Sequence, residues 1–336
     1  MKTKRLIFVG IIAVVASFCL AAMNIRFDRL SRYPYQDQKS RELIDKYLDD
    51  QEIEYLIEYS IAPSLFVRYI EASRFSVYHI EEYNYMEQAF SYRNYDPHLI
   101  VMMVEDTRDH ISVEDLAALM NNYTYDEVKY WLDEGDPYYL NSTLVLDPTE
   151  LDALVDDDHT IGIHESLNLV EVEDLPVVTE DEDGEDKKIM LDVRLIQPLK
   201  NLFAAAKEEI PGRTKGKLVI SEGYVSYKDQ EKIYSEAKEE YGSSTILYVD
   251  YPGHSEHQLG FAVDFSVTGK SDEEFSETVQ AQWLQENAWR FGFIQSYTED
   301  KVEVTNKLSR PQHYRYVGES LAQKLYEQNL TLKEGK

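Results

Sequence analysis

"PGHSEHQLGFAVDF", residues Pro252 to Phe265, decides the fold of the second half of this chain. Phe261, Val263, Phe265 and Val267 alternate with Ala262, Asp264 and Ser266, the period of a strand with one face in a core. Asp264 therefore points away from the oily side. Gly253 and Gly260 bracket His257 and permit the turn that brings its imidazole back over the strand. Downstream, "HYRYV" from His313 alternates again, with His313 and Arg315 on one face and Tyr314 and Tyr316 on the other. Two imidazoles and a carboxylate can thus meet in one cleft. Such a donor set suits zinc, and three protein ligands leave a fourth tetrahedral position open for water, which the ion acidifies.

The elements around this core alternate without a regular strand-helix rhythm. "VRLIQPLKNLFAAAKEEIPG" is amphipathic, with Leu195, Leu199, Leu202, Phe203 and Ala206 on one face and Pro198 near its start. "KLVI" reads as a buried strand. Ser226 followed by Asp229 caps a helix that Gly242 closes, and "SETVQAQWLQENAWRFG" is a further helix carrying Val279, Trp283, Ala288 and Phe291 inward. The class is α+β.

Working outward, "TEDEDGEDKK" is acidic at every position from Glu180 to Asp186 except Gly184, and it reads as a solvated boundary or excursion before the last domain. Ahead of it lies a β-prone stretch containing His159 and His164, which read as histidines of acidic surface loops. From Arg32 to Asn122 the chain is rich in tyrosine and acid, with helical periodicity in "SRELIDKYLDDQEIEYLIEYSI". A related phrase, "YTYDEVKYWLDEGDP", follows, but two similar phrases do not make a solenoid. The expected layout is a membrane segment at 1–23, a mainly helical region at 24–150, a connector at 151–187 and a catalytic-type domain at 188–330.

The membrane segment rests on "LIFVGIIAVVASFCLAAM", Leu6 to Met23, uncharged and preceded by Lys2, Lys4 and Arg5. At about 1.5 Å per residue a helix of this length reaches across most of a bilayer's hydrocarbon core. The expectation is a single-pass signal-anchor with the bulk of the chain outside the cytoplasm; a cleaved signal peptide is the alternative. The one cysteine, Cys19, lies in that run, so no disulfide forms downstream, which fits a bacterial cell surface. With 34 basic against 63 acidic side chains and a formal charge of -29, nucleic acid is excluded as a partner.

Four phrases in order, "EGYVSYKDQ" from Glu222, "PGHSEHQLGFAVDF" from Pro252, "WLQENAWRFGFI" from Trp283 and "PQHYRYVG" from Pro311, resemble the VanY-type D-alanyl-D-alanine carboxypeptidases, zinc peptidases of bacterial cell walls. The resemblance covers about Lys188 to Leu330. It implies a compact domain with an antiparallel sheet flanked by helices. It also implies zinc on His257, Asp264 and His313, with Tyr224, Ser226, Gln230 and Ser255 lining or supporting the substrate cleft.

The pattern breaks at two places. The family's glutamate three positions before the last histidine ligand, its general base, is Arg310 here, and a guanidinium cannot accept a proton at any working pH. Val225 stands where the family's Gly-Tyr-Arg-Ser phrase has the arginine expected to hold the substrate carboxylate. No catalytic residue is therefore assigned. The expected function is a membrane-anchored, catalytically impaired relative that binds a peptidoglycan stem peptide or a cell-wall protein. An active zinc D-alanyl-D-alanine carboxypeptidase is the alternative.

Overall fold

The computed structural model describes residues 10–20, 23, 28–35, 37–139, 141–180, 184, 186–210, 212 and 216–336. The chain divides into two compact units, Met1–Ala118 and Leu119–Lys336.

In the first unit, short helices form where side-chain caps start them. Asp37 accepts from the Ser40 amide ahead of Gln38–Tyr47, and Asp49 forms a reciprocal capping box with Glu52 ahead of Asp50–Glu58. Helices Ile80–Ala89 and Pro97–Thr107 follow. Ile44, Leu56, Phe66, Val77 and Ile80 make a common core with Leu30 and Tyr33. The mainly helical character expected of this region holds. The expected membrane-spanning helix is not found: residues 10–20 are helical and exposed, and among the described residues no helix is long and apolar enough to cross a membrane. Residues 6–9, 21 and 22 of the apolar run lie outside the described residues.

The second unit is built on a four-stranded antiparallel sheet. Among the described residues the strands of this unit, in chain order, are β1 (Thr143–Leu144), β2 (His159–Thr160), β3 (Leu169–Glu171), β4 (Met190–Asp192), β5 (Leu218–Glu222), β6 (Ala262–Val267), β7 (Phe293–Gln295) and β8 (His313–Tyr316). The main sheet runs β5-β6-β8-β7, with β1-β2 and β3-β4 as two small separate ladders. Phe261, Val263, Phe265 and Tyr314 turn inward against Leu195, Leu199 and Leu202 of helix Val193–Glu209, as their alternation predicts. Each such side chain, once fully buried, contributes about 1.5–3 kcal/mol.

Two boundaries differ from expectation. Residues 119–187 belong to the same unit as the domain at 188–330, because their short strands and loops find hydrogen-bond partners there. β3 pairs with β4, the Ile161 amide donates to the Gly253 carbonyl, and Arg315 donates to the carbonyls of Leu151 and Ala153. The acidic run is an excursion within this unit: its ends, Glu180 and Asp186, form a bridge, and Val177 pairs with Ile220 of β5. Val279 also departs from its expected inward place. It is 44% exposed, being the first residue of helix Val279–Asn287, while Trp283 and Ala288 are buried as read.

Candidate metal centre

Cross-strand register brings the site together. Asp264 of β6 stands directly opposite His313 of β8, and facing residues of an antiparallel pair send their side chains to one side of the sheet. His257 arrives from the loop before β6. Gly253 and Gly260, at φ 86° and 77°, shape that loop, and a Cβ at either would press within 2.8 Å of Thr160 Oγ1 or Leu169 Cδ2.

The donor atoms converge. His313 Nδ1 lies 2.8 Å from Asp264 Oδ1 and 3.1 Å from His257 Nε2, and His257 Nε2 lies 3.2 Å from Asp264 Oδ1. Bonds of about 2.0–2.1 Å to a tetrahedral zinc would set neighbouring donors about 3.3 Å apart, so the triad is close to the spacing an ion needs. The outer nitrogens are already engaged. His257 Nδ1 is 2.6 Å from the Gly223 carbonyl and His313 Nε2 is 2.9 Å from Glu256 Oε2, so each ring donates its N–H outward. In the neutral rings both inner nitrogens then offer lone pairs, alongside a carboxylate oxygen, to one point. Three acceptors facing each other is an arrangement that a cation satisfies. The opening is on the Asp264 side, which keeps 21% side-chain exposure against 2% for His313.

Without an ion, a proton takes its place. Burial would lower the His313 pKa, but Asp264 and Glu256 push it up to about 9. Burial would raise Asp264, yet the two imidazoles hold it well below the usual carboxylate range. Glu256, buried and also accepting from Ser296 Oγ at 2.6 Å, is likewise held low by His313 against its burial. Glu256 is next to His257 in the sequence. The loop runs as turns rather than as a strand, and its carboxylate reaches the rear of His313.

Arg310 lies in a different network. Its Nη1 is 2.8 Å from Asp250 Oδ2, and its guanidinium covers the Tyr297 ring at 4.6 Å. Lys307, 2% exposed, joins Asp250 at 3.3 Å and Asp157 at 2.6 Å. Two cations and two carboxylates thus neutralise one another beside the metal cluster. Burial works against both charges, but each partner outweighs it, so Asp250 stays ionised and Arg310 stays charged. Arg310 and Asp250 lie sixty residues apart in the sequence, and spacing gave no sign of the pair.

The four residues expected at the substrate cleft are placed as follows. Ser226 caps helix Tyr227–Tyr241, accepting from the Asp229 amide and donating to its carboxylate. Gln230 is buried and donates to the Asp250 carbonyl at 2.8 Å, so it supports the Arg310 anchor. Ser255 is buried, its Oγ accepting from the His257 amide at 3.3 Å. Tyr224 has a buried hydroxyl without a hydrogen-bond partner, pushed up to about 12 by burial first and by Glu165 and Asp229. Val225 is buried beside it. Glu222, at the start of the same phrase, is paired with Lys187 at 2.8 Å.

Two upstream histidines pair with carboxylates away from this cluster. His159 bonds Asp156 at 2.6 Å, and His164, buried rather than on the surface, bonds Glu127 at 3.1 Å and packs against Tyr123. A residue that spacing missed matters more. His254, two positions before Glu256, is buried between Asp136 Oδ2 and the Asp156 carbonyl, both at 2.6 Å. It ties the loop that carries His257 to the segment upstream.

Comparison with known proteins agrees with this geometry. The profile of the VanY family, D-alanyl-D-alanine carboxypeptidase, matches residues 188–319. YodJ of Bacillus subtilis (strain 168) is 32% identical over 195 residues, 56% of this chain and 68% of that protein. The chain belongs to the VanY D-alanyl-D-alanine carboxypeptidase family. A D-alanyl-D-alanine carboxypeptidase of Enterococcus faecalis (strain ATCC 700802 / V583) is 36% identical over 156 residues, 43% of this chain and 54% of its own length. The chain thus spans about half of that VanY-family relative. Among solved structures, the LdcB LD-carboxypeptidase, described as revealing the molecular basis of peptidoglycan recognition, is 31% identical with a TM-score of 0.51, covering 58% of this chain and 89% of that one.

Proposed function

We propose that this protein is a zinc-holding, catalytically impaired VanY homologue that binds a peptidoglycan stem peptide or a cell-wall protein at the bacterial cell surface, anchored in the membrane through its N-terminal apolar run. His257, Asp264 and His313 hold the ion, and Glu256 fixes the orientation of His313 from behind. The zinc supplies a Lewis acid and a bound water of lowered pKa. Tyr224, Ser226, Gln230 and Ser255 form or brace the wall of the peptide cleft.

The observation that carries the impairment is the Arg310–Asp250 pair. Where members of the family are expected to carry a proton-accepting glutamate, this chain has a guanidinium whose charge is already spent on a neighbour. General-base assistance is typically worth roughly 10²- to 10⁴-fold in rate, and Val225 removes a carboxylate clamp as well. The alternative, an active zinc carboxypeptidase, is favoured by the intact donor triad, but Glu256, the acid beside His257, is engaged with His313 and Ser296.

The test uses the full-length chain, because the segment 119–187 shares a unit with the metal loop. Purified protein loaded with zinc is expected to release no D-alanine from a stem pentapeptide ending in D-Ala-D-Ala. Turnover that a chelator abolishes would overturn the reading.

A further inference from the structure

The first unit has a cleft of about 1020 Å³ that the metal centre does not use. This is at the upper end of the range for small-molecule sites, about 300–1,000 Å³. The large apolar side chains that line it and stay exposed are Tyr59 (62%), Tyr78 (53%), Tyr85 (42%) and Leu65 (45%), three aromatic rings to one aliphatic. The rings of Tyr59 and Tyr78 are braced by the same partner: Tyr55 lies 4.6 Å from the first and 4.8 Å from the second. They are therefore held in place before any ligand arrives, which lowers the entropy lost on binding.

The rim is polar. Glu81 and Gln88, both exposed, border the same cleft. A carboxylate accepts two hydroxyl donors, and an amide both donates and accepts. Arg68 is the one cation lining it among the described residues, and its charge is cancelled by Glu87 at 2.5 Å, with a further bond to Asn84. With no free positive charge here and -29 overall, the cleft repels anionic polymers and anionic lipid.

We propose that this cleft binds an uncharged stretch of a saccharide chain. A pyranose ring has an apolar face of C–H bonds and an equatorial edge of hydroxyls. It meets both needs of the site at once, with its face on a tyrosine ring and its edge on Glu81 and Gln88. The inference concerns a different unit from the metal centre and goes beyond the function proposed for that centre.

The experiment titrates the full-length protein, purified without sugar-headgroup detergents, with uncharged N-acetylglucosamine oligomers and, separately, with the stem pentapeptide, reading tyrosine fluorescence and NMR shifts. Glycan binding is expected. It should weaken on the order of tenfold in Tyr59→Ala and in Tyr85→Ala, and be retained in Tyr59→Phe, which keeps the ring. Absence of glycan binding by folded protein, equal binding by the alanine variants, or a cleft response to the peptide alone would overturn the proposal. Because the glycan probe carries no peptide, a negative result leaves the reading of the metal centre untouched.

Discussion

The two halves of the candidate centre have been treated differently. Around the ion position, every side chain has a partner that aims it inward: Gly223 behind His257, Glu256 behind His313, and the β6-β8 register beneath Asp264. A few residues away, Arg310, Asp250, Lys307 and Asp157 aim at each other. Holding a metal and moving a proton are separable properties of one fold. The first depends on geometry that β-strands fix; the second, on the reading proposed above, depends on the side chain at position 310.

The largest effect that would break this comparison is in the second half. Arg310→Glu, intended to restore a base, places a third carboxylate against Asp250 and Asp157 with Lys307 alone to balance them. Breaking a buried pair of this kind costs about 3–5 kcal/mol, so denaturant unfolding of that variant should show a fall of this order, partly recovered by adding Asp250→Asn. An unchanged unfolding midpoint would mean that the charge cluster is not coupled to folding.

A smaller effect tests the first half. Glu256→Gln retains an acceptor for His313 but loses its charge, and should weaken zinc binding about 10- to 100-fold by competition titration. Equal affinity would remove Glu256 from the metal-orienting role.

Smaller again, per pH unit, is a proton effect. In the metal-free protein His313 is pushed up to about 9 from an ordinary 6.5, so its contribution to folding stability is full below about pH 6.5 and is lost as pH rises through 9. Zinc must displace this proton. Its affinity should therefore rise about tenfold per unit between pH 7 and 9 and then level off, as measured by calorimetry in several buffers. A flat profile over that window would show that His313 does not hold the proton.

The sheet was legible because alternation is a local signal: "FAVDFSV" and "HYRYV" gave both strands, and the face each donor occupies follows from the period of two. The helices around Leu199 and Gln230 were legible from caps and spacing. What lies around the donors was not. The Glu256–His313 contact was not legible because a loop of turns gives its side chains no short period to read. The partners of Arg310 and His254 lie 60 and 118 residues away, and nothing in their own neighbourhoods encodes them. The affiliation of 119–187 escaped for a related reason, since strands of two or three residues carry almost no periodicity and owe their existence to the surface they join.

Both glycines of the loop before β6 are pressed against that upstream segment, and His254 is clamped to it from inside. The cradle is consequently stiff before any ion enters. On the reading proposed above, an arriving ion would have little slack to take up, and a cradle of this kind suits permanent occupancy rather than reporting the level of free metal.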